Sequence, residues 1–457
     1  MNEMVKQYFE ALRGKGVIVL GIGVSNRPLI RMLLSYGIDV TACDKTEREN
    51  LDREVLELEQ AGAKLHVGAR YLEGLTGDVV FRTPGMHPNI PALQMLRQQG
   101  AVVTSEMEAF FAVCPCPILA VTGSDGKTTT TTLIAEILKH AGRTVWIGGN
   151  IGQPLLPLAE QMSADDLAVV ELSSFQLMHM TQSAHVAVVT NLAPNHLDVH
   201  KDMAEYIEAK ENVYRHQTAA DKVVLNLDNA ITASFAPKAK GSVSWFSREQ
   251  KPEHGAWFDG ETVWFNGRAV MDRSDILLPG LHNVENYMAA LCAVEEYASF
   301  EDVAAVARTF GGVEHRIELV RTLDGVRYYN DSIASSPSRT IAGLHAFDQK
   351  VILIAGGYDK QIPFDVLGPE VTAHVKRLIL CGATAEKIRL AVTNAPDYTE
   401  GTPEIVTVGT LAEAVEDARA HAAVGDIVTL SPACAAFDQF KNFMVRGRTY
   451  KALVNSL

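Results

Sequence analysis

The sequence predicts an α/β protein of three domains built on parallel sheets, and three observations carry that reading. Apolar strand-like runs alternate with helical segments along the whole chain. The first two blocks each open on a strand that runs into a glycine turn and then a helix. At 457 residues, and roughly 150 residues per domain, the chain has room for about three domains, each able to bury its own core.

The first block starts with GVIVLGIG, turns through GIGVSN, continues into a helix containing PLIRMLLSYG and returns as the strand DVTACD. This is a βαβ start with Gly21, Gly23, Val24 and Ser25 in the turn and Asp44 closing the second strand. Asn26 occupies the place of the third glycine of the dinucleotide fingerprint. Two readings stay open: an ordinary βα turn, or a diphosphate at the helix N-terminus with Asp44 near a ribose or base. Strands in GDVVFRTPG and AVVTS complete a Rossmann-like domain over residues 1–105.

The second block, residues 106–311, has strands in PILAVTG, VWIGGN, LAVVELSS, HVAVVTNL and KVVLNLDN. A smaller β-rich stretch runs from VSWFSREQ to VWFNGRAVM, and the helix HNVENYMAALCAVEEYA follows. The third block, residues 312–457, carries strands in GVRYYND, KVILIAGG, RLILCG, EIVTVG and DIVTLSP and is again Rossmann-like. Paired Gly311 and Gly312 mark the boundary between the two.

A net charge of −14 argues against a general nucleic-acid binder, because phosphate-backbone affinity needs a basic face. No apolar run is long enough to span a bilayer, and MNEMVKQYFEALRGKG lacks the apolar core of a signal peptide. A cytoplasmic monomer is expected. The six cysteines form no pair of CxxC motifs and are read as reduced and structural.

The strongest motif is AVTGSDGKTTTTTLIAEIL, where strand, glycine loop and helix follow in the order a phosphate loop needs. Backbone N–H groups from Gly123, Ser124, Asp125 and Gly126 can cradle a polyphosphate, Lys127 can offset its charge, and the Thr128 hydroxyl can ligate magnesium, with Thr129 beside it. Val121 stands where the general pattern has its first glycine. Further on, MAEYIEAKENVY reads as a helix with Met203, Tyr206, Ile207, Val213 and Tyr214 on one apolar face and Lys210 near its centre. Either that lysine snorkels to water or it has work to do inside. Glu171, at the end of LAVVE, is a strand-end acid able to reach a metal beside the loop.

Together with GGNIGQPL at 148, VVELSSFQL at 169, TNLAPNHLD at 190, EAKENVY, GLHNVENYMAA at 280, EHRIE at 314, YYNDSIASSP at 328, AGGYDK at 355 and SPACAAFDQFKNFMVRG at 431, the loop resembles the Mur ligases and their folylpolyglutamate synthase relatives. The resemblance covers nearly the whole chain. It implies an amide ligase that uses ATP and a pair of Mg2+ ions to form an acyl phosphate, then joins D-glutamate to UDP-N-acetylmuramoyl-L-alanine. The acceptor would lie on the N-terminal domain near Gly23, Val24, Ser25 and Asp44, with Asn150 also touching substrate.

The same resemblance assigns His196 and a carbamylated Lys210 to the second magnesium, with Thr128 and Glu171 as further ligands. Asn283 and Asn286 would meet the nucleotide base, Arg316 its phosphates and Asp331 its ribose. Lys360, Ser431, Phe437 and Phe443 would hold the amino acid. Two positions depart from the family pattern: Ile333 replaces a lysine near substrate and phosphates, and Ala436 replaces a serine that would contact the amino acid. A ligase with a different acceptor or amino acid, and a nucleotide-binding module that only hydrolyses ATP, are the competing functions.

Overall fold

The computed structural model describes residues 3–193 and 200–457. It contains three sheets. The first joins β1 (Val17–Leu20), β2 (Val40–Asp44), β3 (Lys64–Val67), β4 (Val79–Arg82) and β5 (Val102–Thr104) in the order β3-β2-β1-β4-β5. All its pairings are parallel. β1 reads VIVL and is buried throughout, as a strand covered on both faces should be.

The second sheet comprises β6 (Ile118–Thr122), β7 (Val145–Gly149), β8 (Leu167–Glu171), β9 (Val186–Val189), β10 (Lys222–Asn226), β11 (Ser242–Ser247), β12 (Gly255–Phe258), β13 (Thr262–Phe265) and β14 (Arg268–Asp272). Its order is β14-β13-β12-β11-β10-β9-β6-β8-β7. The third is ordered β15-β16-β20-β17-β18-β19, from β15 (Glu318–Leu323), β16 (Val326–Asn330), β17 (Val351–Ala355), β18 (Val375–Leu380), β19 (Glu404–Thr407) and β20 (Ile427–Leu430).

The sheets are mostly parallel, as expected, with antiparallel pairs added at two edges. β12, β13 and β14 pair antiparallel, as do β15 and β16. The physical reason is connection length: DGETVW and LDGVR turn too quickly for a helical crossover, and only an antiparallel hairpin can use so short a loop.

The chain divides into two compact units, one of residues 1–275 with 284–307 and one of 276–283 with 308–457. In the first, one apolar core runs under both sheets, from Phe9 and Leu29 through Phe110 to Val170 and Tyr206, and a second, with Ile18, Leu20 and Val80, packs on the first sheet. Buried Arg82 crosses from β4 to donate to the Phe175 carbonyl at 3.0 Å. In the second, β17 sends Leu353 to one core and Ile352 and Ile354 to the other, the alternation of a strand covered on both faces. No helix among the described residues is long and apolar enough to cross a membrane.

Candidate active site

β6 ends at Thr122, and the loop that follows is tied to the end of β9. Ser124 N–H donates to Asn191 O at 2.8 Å, Asp125 N–H to Asn191 Oδ1 at 3.0 Å, and Thr190 Oγ1 to Asp125 O at 2.6 Å. Two glycines are obligatory here. A Cβ on Gly123 would lie 1.9 Å from Thr190 Oγ1, and Gly126 has a φ of +78° with Asn286 Oδ1 2.4 Å from where its Cβ would be. The helix Lys127–His140 then starts with its N–H groups facing the loop, an arrangement that favours anions. The Lys127 ammonium donates to Ser124 O at 2.9 Å. Later threonines mostly serve the helix itself: Thr131 and Thr132 donate to the carbonyls four residues back. Thr129 is half-buried beside them.

Parallel pairing sets Glu171 opposite Val121, so its carboxylate emerges beside the loop. Thr128 Oγ1 donates to one carboxylate oxygen at 2.7 Å and Asn150 Nδ2 to the other at 2.9 Å. Asn150 and Thr128, far apart in sequence, thus meet on one buried acid. Asn286 accepts from Thr130 Oγ1 at 3.2 Å and so braces the loop helix. Asn283 belongs to the second unit and donates to Pro279 O at 2.6 Å.

Lys210, on the helix Met203–Glu211, does not snorkel: it is 1% exposed. Its ammonium donates to Thr122 Oγ1 at 3.0 Å and Gly123 O at 2.9 Å and stands 4.9 Å over the Tyr206 ring. Burial, and secondly the nearby Lys127 charge, hold its pKa well below the ordinary lysine value, against a smaller opposing pull from Glu171. The apolar face around it is as expected, with Tyr206, Val213 and Tyr214 in the core and Met203 and Ile207 packed against it. His196 lies outside the described residues.

At the N-terminal turn, Asp44 accepts from Ile22 N–H at 2.8 Å and from Thr46 N–H and Oγ1 at 3.0 and 2.8 Å. Partial burial pushes its carboxyl up, but these hydrogen bonds win and keep it below the usual aspartate range. Asn26 fills the third-glycine position by donating to Leu20 O and Gly21 O, closing the turn with a side chain. Gly23, Val24 and Ser25 cap this turn, Val24 being largely exposed.

In the second unit, Asp331 is buried at the end of β16, where Ser431 Oγ donates to it at 2.8 Å and Ile317 N–H at 3.3 Å. Burial pushes its carboxyl up to about 7. Ser431 is itself buried, its Oγ lies 3.0 Å from Thr340 Oγ1, and Thr340 Oγ1 donates to Ser431 O at 3.2 Å. Arg316 is exposed between His315 and Ile317, both in the left-handed region. Lys360 and Phe437 are exposed, Phe437 meeting Tyr358 edge-on at 5.8 Å. Phe443 starts the helix Phe443–Ser456 and meets His315 edge-on at 5.9 Å. Ile333 is half-buried and Ala436 buried, and Arg339 donates to the Ile333 carbonyl at 3.4 Å.

Sequence reasoning missed Arg446. It is buried, donates to Ser332 Oγ and O, Cys434 O and Ala435 O, and so fastens the SPACA segment to the one after β16. Its place inside KNFMVRG was the available signal. His200 was also passed over: it is buried, stacked 5.3 Å from Phe175 and bonded to Ser174 Oγ at 2.8 Å.

A glycine loop at a helix N-terminus, with a threonine hydroxyl and a buried strand-end acid beside it, is the phosphate loop of a protein that binds a nucleoside triphosphate, and the family matches narrow that class to ATP-dependent amide ligases. Residues 121–294 match the Mur ligase middle domain and residues 315–434 the Mur ligase glutamate ligase domain. Over the full length of both chains, the protein is 50% identical to the UDP-N-acetylmuramoylalanine–D-glutamate ligases of Clostridium novyi and Acetivibrio thermocellus. In fold it is similar to the UDP-N-acetylmuramate–alanine ligase of Thermotoga maritima, at 17% identity and a TM-score of 0.60 over 97% of this chain and 99% of that one. A UDP-N-acetylmuramoyl-L-alanyl-D-glutamate–2,6-diaminopimelate ligase gives 18% and 0.59 over 97% and 93%. The chain belongs to the Mur ligase family.

Proposed function

We propose that the protein joins D-glutamate to UDP-N-acetylmuramoyl-L-alanine at the expense of ATP, a step in making peptidoglycan precursors. What supports this is 50% identity over the full chain to ligases of that name, with the Glu171 carboxylate held by Thr128 and Asn150 beside the glycine loop. An acceptor carboxylate oxygen attacks the γ-phosphorus and ADP departs, leaving an acyl phosphate. The D-glutamate amine then attacks the acyl carbon, phosphate leaves and the amine loses a proton. Such chemistry depends on positioning and on neutralising charge, without a protein nucleophile.

Lys127 balances charge on the transferred phosphoryl group, and the loop N–H groups orient it. The hard oxygen donors of Thr128 and Glu171 fit magnesium, which when bound supplies positive charge to the phosphate oxygens. For Lys210 we propose carbamylation: its neutral amine adds to carbon dioxide and sheds a proton, turning a buried cation into an anion suited to a metal. His196 is proposed to share that metal.

Asn283, Asn286, Arg316 and Asp331 are proposed to serve the nucleotide. Gly23, Val24, Ser25 and Asp44 would serve the UDP moiety, and Lys360, Ser431, Phe437 and Phe443 the amino acid. The reading includes three domains divided near residues 105 and 311 and a cytoplasmic monomer.

The test is phosphate release with UDP-N-acetylmuramoyl-L-alanine against a panel of D- and L-amino acids. D-glutamate should stimulate release most. Stimulation by another amino acid alone would move the specificity, as Ile333 and Ala436 would allow, while leaving the ligase chemistry in place.

A further inference from the structure

A second cluster of ligating side chains lies on the second unit, on residues with no part in the chemistry above. The helix Leu367–His374 carries Glu370 and His374 four residues apart and therefore on one face. The helix Pro337–Leu344 ends in His345, whose backbone N–H is fixed by the Ile341 and Gly343 carbonyls. Leu344, Leu367 and Val371 anchor both helices in the same core. The three side chains converge: His345 Nε2 lies 2.6 Å and His374 Nε2 3.6 Å from the same Glu370 oxygen, and the ligating atoms all fall within 4.8 Å of one another.

We propose that His345, Glu370 and His374 form a binding site for a transition-metal ion of the zinc class, with water in the remaining position. Two imidazole nitrogens and one carboxylate oxygen are donors that suit Zn2+, Ni2+ or Co2+, whereas Mg2+ takes oxygen. Zinc bonds of about 2.0–2.2 Å in a tetrahedral site set ligand atoms roughly 3.3–3.6 Å apart. The His374–Glu370 separation already fits. The His345–Glu370 pair must open by less than about 1 Å, which a rotation of the exposed His345 ring provides, and the imidazole proton it now shares with Glu370 leaves to solvent. Bound metal would tie together the ends of two helices, of which Pro337–Leu344 holds Ser431 through Thr340.

The full chain, stripped with a chelator and kept in excess Mg2+, is titrated with Zn2+ by calorimetry beside H345A, H374A, E370Q and the H345A/H374A double variant. These positions are exposed or half-buried, and circular dichroism checks that each variant folds. The expected result is one more zinc equivalent in the wild type than in the double variant, affinity lowered about tenfold or more in each single variant, and a Co2+ visible spectrum lost in the double variant. Equal zinc stoichiometry and affinity in wild type and double variant would overturn the site and leave an ordinary histidine–glutamate pair.

Discussion

Both oxygens of Glu171 are engaged, one by Thr128 Oγ1 and the other by Asn150 Nδ2, so the acid is oriented before any ligand arrives. Glu171→Gln keeps the volume but removes the charge and replaces one acceptor by a donor. We expect melting to change little and ATP-dependent amide formation to fall by about 10² to 10³, the scale for losing one preorganised electrostatic group. Phosphate release measured against magnesium concentration checks this. A near-normal rate would take Glu171 out of the site.

Much of this arrangement was legible in the sequence. Strand-like runs such as KVILIAGG and LAVVELSS are short, β-branched and bounded by glycine or polar residues, and each became a strand. The phosphate loop was legible because its glycines are forced by backbone geometry. β3 and β15 were not: KLHV and ELVRTL are half-buried edge strands that lack a clear apolar run. The Thr128–Asn150 meeting on Glu171 depends on strand order, which local pattern does not encode. Arg446 was missed because its partners are backbone carbonyls, invisible in composition.

The raised carboxyl of Asp331 predicts a pH-dependent stability. An aspartate near 3.8 in the unfolded chain and about 7 in the fold binds more protons when folded between those values. Its contribution is therefore fully present below about 3.8 and is lost as pH rises through about 7. Asp331→Asn removes this ionisation, so its urea midpoint should fall less than that of the wild type between pH 4.5 and 7.5. Parallel midpoints in both proteins would mean that Asp331 stays ionised in the fold.

Arg446→Met should destabilise the second unit. It leaves the carbonyls of Ser332 and Cys434 without their buried donor, while Ala435 O keeps the Tyr358 N–H at 2.9 Å. Unsatisfied buried groups cost about 1–3 kcal/mol each, so a loss of about 2 kcal/mol or more is expected. Thermal melting checks it, and Arg446→Lys should recover only part, since an ammonium lacks the planar fork.

Lys360→Ala should act on binding. The side chain is exposed, so the fold is unaffected. Loss of one charge-assisted hydrogen bond to the amino-acid carboxylate should raise the KM for D-glutamate about tenfold or more and leave that for ATP nearly unchanged. Equal effects on both constants would assign Lys360 to something other than the amino acid.

Lys210 carries the strongest prediction. A lysine this buried, with a second ammonium nearby and, among the described residues, a hydroxyl and a carbonyl as its hydrogen-bond partners, is poorly held as a cation. Its lowered pKa leaves neutral amine available to carbon dioxide, and the carbamate would place negative charge beside the phosphate loop, where a metal can use it. Lys210→Ala should fold yet lose activity by about 10² or more. Acetate or formate, supplying a free carboxylate to the vacated space, should restore part of that activity in Lys210→Ala but none in Lys127→Ala, and bicarbonate should stimulate the wild type after carbon dioxide is stripped from the buffer. A fully active alanine variant, or equal rescue of both variants by the same acids, would leave Lys210 as a structural lysine that braces Thr122 and Gly123.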